Sequence, residues 1–217
     1  QTIPGVTKLD IFEFIYFARP DSYLMGKNVY ITRKNLGIEL ARQVKIDADV
    51  VIPVPDSAIP AAIGYSEQSK IPCEHALTKN RYIHRTFIKP AQKQRTEGVS
   101  LKLNLIKELV ENKKVILIDD SIVRGTTSKK LVDLVKKGNP KEIHFLVTSP
   151  KVLYPDFYGI DTPNQKELIA SQMTHKQLTD YIGCDSVHFL DYDKTIKAIG
   201  INEDLLCTSC FTGIYPV

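Results

Sequence analysis

The sequence predicts an α/β fold, a central and mostly parallel sheet flanked by helices, on three observations. Apolar runs rich in β-branched residues, at 49–54, 115–118, 143–147 and 187–190, alternate with stretches of helical spacing, the pattern of strands joined by crossover helices. Two of these runs end at once in acids and hydroxyls, at Asp56-Ser57 and at Asp119-Asp120-Ser121. Open parallel sheets bind ligands beyond the carboxyl ends of their strands, so both clusters are expected at one crevice. The 217 residues, 43% hydrophobic and 25% charged, suit one well-buried domain over 1–217.

Taken in order, residues 11–22 crowd four aromatics into a short span that reads as a strand closed by the Pro20-Asp21 turn, so 1–22 forms a lead-in segment. Leu36, Leu40 and Val44 space a helix over 35–44, and 49–54 is a buried strand. Beyond Asp56-Ser57, Pro60 in a first turn opens a second helix whose N-terminus points at the crevice. Pro55-Asp56-Ser57 alone is also an ordinary turn. Residues 79–97 are loop-like, with six Lys or Arg against one acid. That stretch therefore carries +5 in a chain totalling +4, and the positive charge is localised. Apolar positions such as Tyr82 and Phe87 argue against a purely solvated loop, and no nucleic-acid module surrounds it, which favours an anionic small molecule over nucleic acid. After a turn-rich 154–163 come a helix at 175–182, a strand at 187–190 and a helix at 194–199.

The chemistry concentrates at 115–128. Val115 to Ile118 read as a strand, and Asp119 and Asp120 stand where it leaves the sheet. Ser121, Ile122, Val123 and Arg124 then lead to Gly125, Thr126, Thr127 and Ser128, before helical spacing resumes at Leu131, Val132, Leu134 and Val135. Hydroxyls and the amides of a helix N-terminus donate to phosphate, and Gly125 allows close backbone approach. Acids beside an anion site would repel it unless they accept from sugar hydroxyls or the anion arrives with Mg²⁺.

Asp119 to Thr127 resembles the signature by which type I phosphoribosyltransferases bind phosphoribosyl pyrophosphate (PRPP), and the wording Ile118 to Thr127 is most similar to the amidophosphoribosyltransferases. Residues 11–22, Tyr158-Gly159-Ile160-Asp161-Thr162 and Cys207 to Pro216 resemble that family too, so the likeness runs from about Ile11 to Pro216. It implies a type I phosphoribosyltransferase fold that joins ammonia to C1 of PRPP in the first step of purine synthesis. It assigns Asp119 and Asp120 to the ribose and the Mg²⁺ site, Ser121 to Thr127 to the 5′-phosphate, and Asp56 and Ser57 to the magnesium-pyrophosphate. Lys79 and Arg81 become cations of a flexible loop, 79–97, that closes over PRPP. A homo-oligomer is implied as well. Base-salvage or orotate-type transferases, and a PRPP sensor without turnover, share the loop and remain alternatives.

Four cysteines, Cys73, Cys184, Cys207 and Cys210, are too scattered for a disulfide framework, and no run approaches the roughly 18 apolar residues of a membrane span, so a cytoplasmic protein is expected. Some relatives by resemblance carry an iron–sulfur cluster on four cysteines. Carrying that pattern over gives Asp10, Asp156, Asp204 and Cys207, so no cluster is expected, carboxylates being poor substitutes for thiolates. Cys207 and Cys210 also form a lone C-x-x-C without a second pair for zinc. The family's glutaminase domain, which uses an amino-terminal cysteine, has no counterpart in this sequence. A separate glutaminase domain or subunit is the expected partner, with free ammonia as the alternative donor.

Overall fold

The computed structural model describes residues 7–79, 103–160, 162 and 164–216. In chain order it runs β1 (Leu9–Asp10), a π-helical turn (Glu13–Phe17), β2 (Tyr23–Leu24), β3 (Lys27–Asn28), α1 (Val29–Gln43), β4 (Val50–Pro53) and α2 (Ile59–Ser69). There follow β5 (Leu77–Lys79), β6 (Leu103–Leu105), β7 (Lys114–Asp119), α3 (Thr126–Lys136), β8 (Glu142–Val147), α4 (Ile169–Gln172) and α5 (His175–Ile182). The remainder is β9 (Ser186–Phe189), α6 (Tyr192–Ile199), β10 (Leu206–Cys207) and α7 (Ser209–Thr212).

The central sheet has the order β4-β7-β8-β9 and every pairing in it is parallel. Val50 to Pro53 of β4 are buried, as are Val115 to Asp119 of β7. Strands covered on both faces have no solvent side to mark with polar residues, which is why they read as continuous apolar runs. The register pairs Pro53 with Ile118 and Asp119 with Val147, so the chain leaves β4, β7 and β8 at one edge. β5 and β6 form a separate antiparallel pair, Lys79 facing Leu103, and bracket residues that lie outside the described ones. The sequence-expected closing loop falls almost entirely there: Lys79 ends β5, whereas Arg81 and the rest of 79–97 are among the residues not described.

Two expectations change. α1 begins at Val29, six residues before the apolar spacing shows it, because its inward face carries Thr32, Arg33 and Gly37 between the apolar positions. Asn28 starts it, accepting from the Ile31 amide at 3.1 Å. Residues 11–22 are not a strand. The chain closes instead through Phe14 N–H to Ile11 O at 3.1 Å and Ala18 N–H to Glu13 O at 3.0 Å. Ile11, Phe12, Phe14 and Ile15 are all buried, while Tyr16 and Phe17 remain about half exposed. Spacing that buries 11, 12, 14 and 15 fits a helical turn and not the two-residue period of a strand.

α1 crosses α2 so closely that a Cβ at Gly37 would meet the backbone of Ala61, and one at Gly64 the backbone of Lys34. α1 also packs on α6, and α3 on α5.

Candidate active site

Beyond the carboxyl ends of β4 and β7 opens a cleft of about 510 Å³. Its floor is Ser57, Asp119, Asp120 and Ser121, one side is Val123 to Ser128, and the other is Phe12, Tyr16 and Phe17 with Ile160 and Thr162. Adjacent strands create this juxtaposition: Ser57 follows β4, Asp120 follows β7, and the Ser57 hydroxyl donates to Asp120 Oδ2. Ser121 donates to Asp120 Oδ1 at 2.6 Å, and the Asp120 amide donates to Asp119 Oδ1 at 2.9 Å. Both carboxyls are 7% exposed.

Burial, and after it the charge of Asp120, pushes the Asp119 carboxyl well above the usual carboxylate range. Asp120 is also raised by burial, but the hydroxyls of Ser121 and Ser57 and the positive charge of Arg33 all pull it back. Two buried acids side by side ionise together only at a cost, and sugar hydroxyls or a cation offset that cost.

Next to the acids, the loop turns into α3 at Gly125, whose φ is +72°. A Cβ there would meet only the movable tip of Ile169, so it is the left-handed conformation that requires glycine. The turn presents the first amides of an 11-residue helix, which have no intrahelical acceptor, together with Thr126 and Thr127. Arg124 is committed sideways, donating from Nε to Glu167 Oε2 at 2.7 Å. Not every sequence-assigned residue reaches the cleft. Ile122 is buried in the core, where it anchors the loop, and Asp56 turns outward to pair with Lys79. The Pro55–Asp56 peptide is cis.

Residues 21–153 match the model of the phosphoribosyl transferase domain family. The chain belongs to that family. An amidophosphoribosyltransferase of Rhizobium etli is 46% identical over 98% of this chain and 44% of its own length. One of Methanocaldococcus jannaschii is 48% identical over 95% of this chain and 43% of its own. A solved glutamine PRPP amidotransferase from B. subtilis, complexed with ADP and GMP, superposes with a TM-score of 0.87 at 45% identity, over 99% of this chain and 48% of that one. The chain thus spans about half the length of the relatives it matches, and its sheet and helices have the type I phosphoribosyltransferase fold.

Sequence reasoning missed the aromatic side of the cleft, and Arg33 behind it. A helical period in 11–17 would have exposed Tyr16 and Phe17 as the unburied pair. It also misplaced one member of the acid and thiol group. Asp204 is exposed, with its amide bound to Asn202 Oδ1 at 3.1 Å. The fourth buried group beside Asp10, Asp156 and Cys207 is Cys210, because β1 pairs Asp10 with Cys207 and α7 then folds Cys210 inward. Burial, then Asp156 and Asp10, raise the Cys210 thiol. Among the described residues no three His, Cys, Asp or Glu groups could together hold a metal ion, and no helix is long and apolar enough to cross a membrane.

Asp10 and Asp156 each leave one buried oxygen, Oδ2, without a hydrogen-bond partner among the described residues. Burial pushes Asp10 up to about 7, against the pull of the Phe12 amide, and Asp156 raises it further. Because the folded value lies above the unfolded one, wild-type stability is highest below pH 3.8 as far as this group is concerned and is lost as pH rises toward 7. Asp10→Asn removes that loss. Its stability advantage over wild type is expected to grow by about 1.4 kcal/mol per pH unit inside this window, one proton's worth, and then level off. Urea midpoints of the two proteins from mildly acidic to neutral pH measure it, and a pH-independent difference would refute the raised Asp10 carboxyl.

Proposed function

We propose that this chain is the transferase part of an amidophosphoribosyltransferase, joining ammonia to C1 of PRPP to give 5-phosphoribosylamine and pyrophosphate, the first step of de novo purine biosynthesis. What supports this most directly is likeness to amidophosphoribosyltransferases over nearly the whole chain, the acid and hydroxyl loop of the cleft included. In this reading 1–217 is one domain of a cytoplasmic homo-oligomer, and a glutaminase domain or subunit supplies the ammonia.

In this reading the residues divide the substrate among them. Asp119 and Asp120 accept from the ribose hydroxyls, which suits carboxyls that are buried yet open to the cleft. The amides and hydroxyls of Ser121 to Thr127 hold the 5′-phosphate at the α3 terminus. Ser57 receives the pyrophosphate, while Lys79, Arg81 and the stretch 79–97 close over it. The oxygen donors of Ser57, Asp119 and Asp120 are of the hard kind that suits Mg²⁺, and one or two carboxylates plus substrate phosphates are its usual setting. Bound there, Mg²⁺ would offset the charge of the leaving pyrophosphate. The C1–O bond to pyrophosphate breaks as C1 gains oxocarbenium character, and the C1–N bond forms on the opposite face from the lone pair of ammonia. A proton then leaves the new ammonium for solvent. No protein nucleophile takes part; positioning and electrostatics supply the rate.

The 217-residue chain is expected to release pyrophosphate from Mg²⁺ and PRPP when ammonium salts are present, faster at higher pH as ammonium loses its proton, and not with glutamine alone. The thiols that could stand in for a glutaminase nucleophile are poorly suited: burial pushes Cys73 and Cys184 up to about 11. Turnover with a panel of purine or pyrimidine bases, and none with ammonium, would replace this reading by a base transferase. PRPP binding without turnover on any acceptor would make the chain a sensor.

A further inference from the structure

The loop that joins β7 to α3 is held from outside by a segment far along the chain. Glu167 closes a 3₁₀ turn (Gln165–Glu167), and its Oε2 accepts from both Nε and Nη2 of Arg124, each at 2.7 Å. Two residues on, the Ile169 amide donates to the Val123 carbonyl at 3.0 Å, and the Ile169 side chain lies against Gly125. Val123, Arg124 and Gly125 all line the cleft. The clasp is itself anchored. Gln165 Nε2 donates to the Leu153 carbonyl at 3.1 Å, and Leu168 and Ile169 are buried, so Glu167 reaches Arg124 from a fixed backbone.

We propose that Glu167 is a positioning residue for the 5′-phosphate end of the proposed PRPP site, acting through Arg124. The proposal rests on the PRPP-binding reading above. The pair takes up two of the guanidinium's nitrogens and leaves Nη1 outside it, so Glu167 sets the plane of the fork in a residue that lines the cleft. An arginine free to swing would lose its rotamer freedom only when the anion arrives, and that ordering would weaken binding. Held in advance, it avoids that cost. The pair is not a staple of the fold, because its side chains are 55% and 45% exposed and exposed ion pairs contribute little to stability. Charge alone predicts the reverse of positioning, since an acid beside an anion site repels the anion.

Calorimetry of the 217-residue chain with ribose 5-phosphate, which carries the 5′-phosphate alone, and with Mg²⁺-pyrophosphate, which represents the other end of PRPP, separates positioning from charge and from general loosening. In Glu167→Ala, ribose 5-phosphate is expected to bind roughly fivefold more weakly, the scale of ordering one long side chain. Mg²⁺-pyrophosphate affinity and the urea midpoint are expected to stay at their wild-type values. Glu167→Gln, which keeps an acceptor within reach of Arg124, is expected to fall between the two proteins. In an Arg124→Gln background, Glu167→Ala is expected to have no further effect. Ribose 5-phosphate binding in Glu167→Ala that equals or exceeds that of wild type overturns the proposal and leaves the PRPP reading intact, as does an equal weakening of both ligands. Should Glu167→Ala fail to fold, wild-type affinity in Glu167→Gln overturns it equally. A wild-type chain that binds neither ribose 5-phosphate nor PRPP overturns the PRPP reading and the proposal with it.

Discussion

Asp120→Asn is expected to lower ammonia-dependent pyrophosphate release roughly a hundredfold, near the upper end of what one charged hydrogen-bonding group contributes. Asp120 is buried, receives the hydroxyls of Ser57 and Ser121, and lies at the junction of the β4 and β7 termini. An amide keeps the size and one acceptor oxygen, but it presents N–H donors to ribose hydroxyls where a carboxylate would accept, and it offers a cation no charge. The fold should survive, because burial already disfavours the charged form of Asp120 and a neutral isostere removes that cost. Steady-state rates and thermal midpoints measured together decide the matter. Undiminished turnover in a folded Asp120→Asn protein would remove Asp120 from the site, while a lost fold would make it a structural residue.

Gly37→Ala is expected to destabilise the domain by about 3 kcal/mol, the top of the ordinary range for overpacking a core. The new Cβ would run into the Ala61 carbonyl, which is backbone and cannot step aside as a side-chain tip would. Relief requires α1 and α2 to separate, and α1 also carries Arg33, so the cleft wall should loosen along with the core. Gly26→Ala is the internal comparison. Its φ of +75° strains any alanine, yet nothing lies within 4 Å of the added carbon, so the cost there is about 1 kcal/mol. Equal urea midpoints for the two variants would show that the helix crossing is looser than the structure has it.

Much of this was legible in the residues because the signals were strong and local. Buried parallel strands leave uninterrupted apolar runs, and Val115 to Ile118 followed by Asp119-Asp120 marked both a strand and the end at which the cleft opens. The helix expected at 175–182 is α5, which Gly183 ends with a φ of +81°. α1 was half hidden. A helix whose buried face holds Thr32, Arg33 and Gly37 has lost the apolar period by which helices are recognised.

The sequence by itself determined the strand order's raw material, the acid and hydroxyl loop at 119–127, and the local need for glycine at 125, because each depends on residues within a few positions of one another. Only the tertiary structure decided that Ser57 would meet Asp120, that Asp56 would turn away to Lys79, that Cys210 and not Asp204 would join Asp10 and Asp156, and that Arg33 would stand behind the aromatic wall. These are contacts between segments far apart in the chain. They are fixed by strand register and by the close crossing of α1 and α2, and side chains brought together by packing leave no period or spacing in the sequence to announce them.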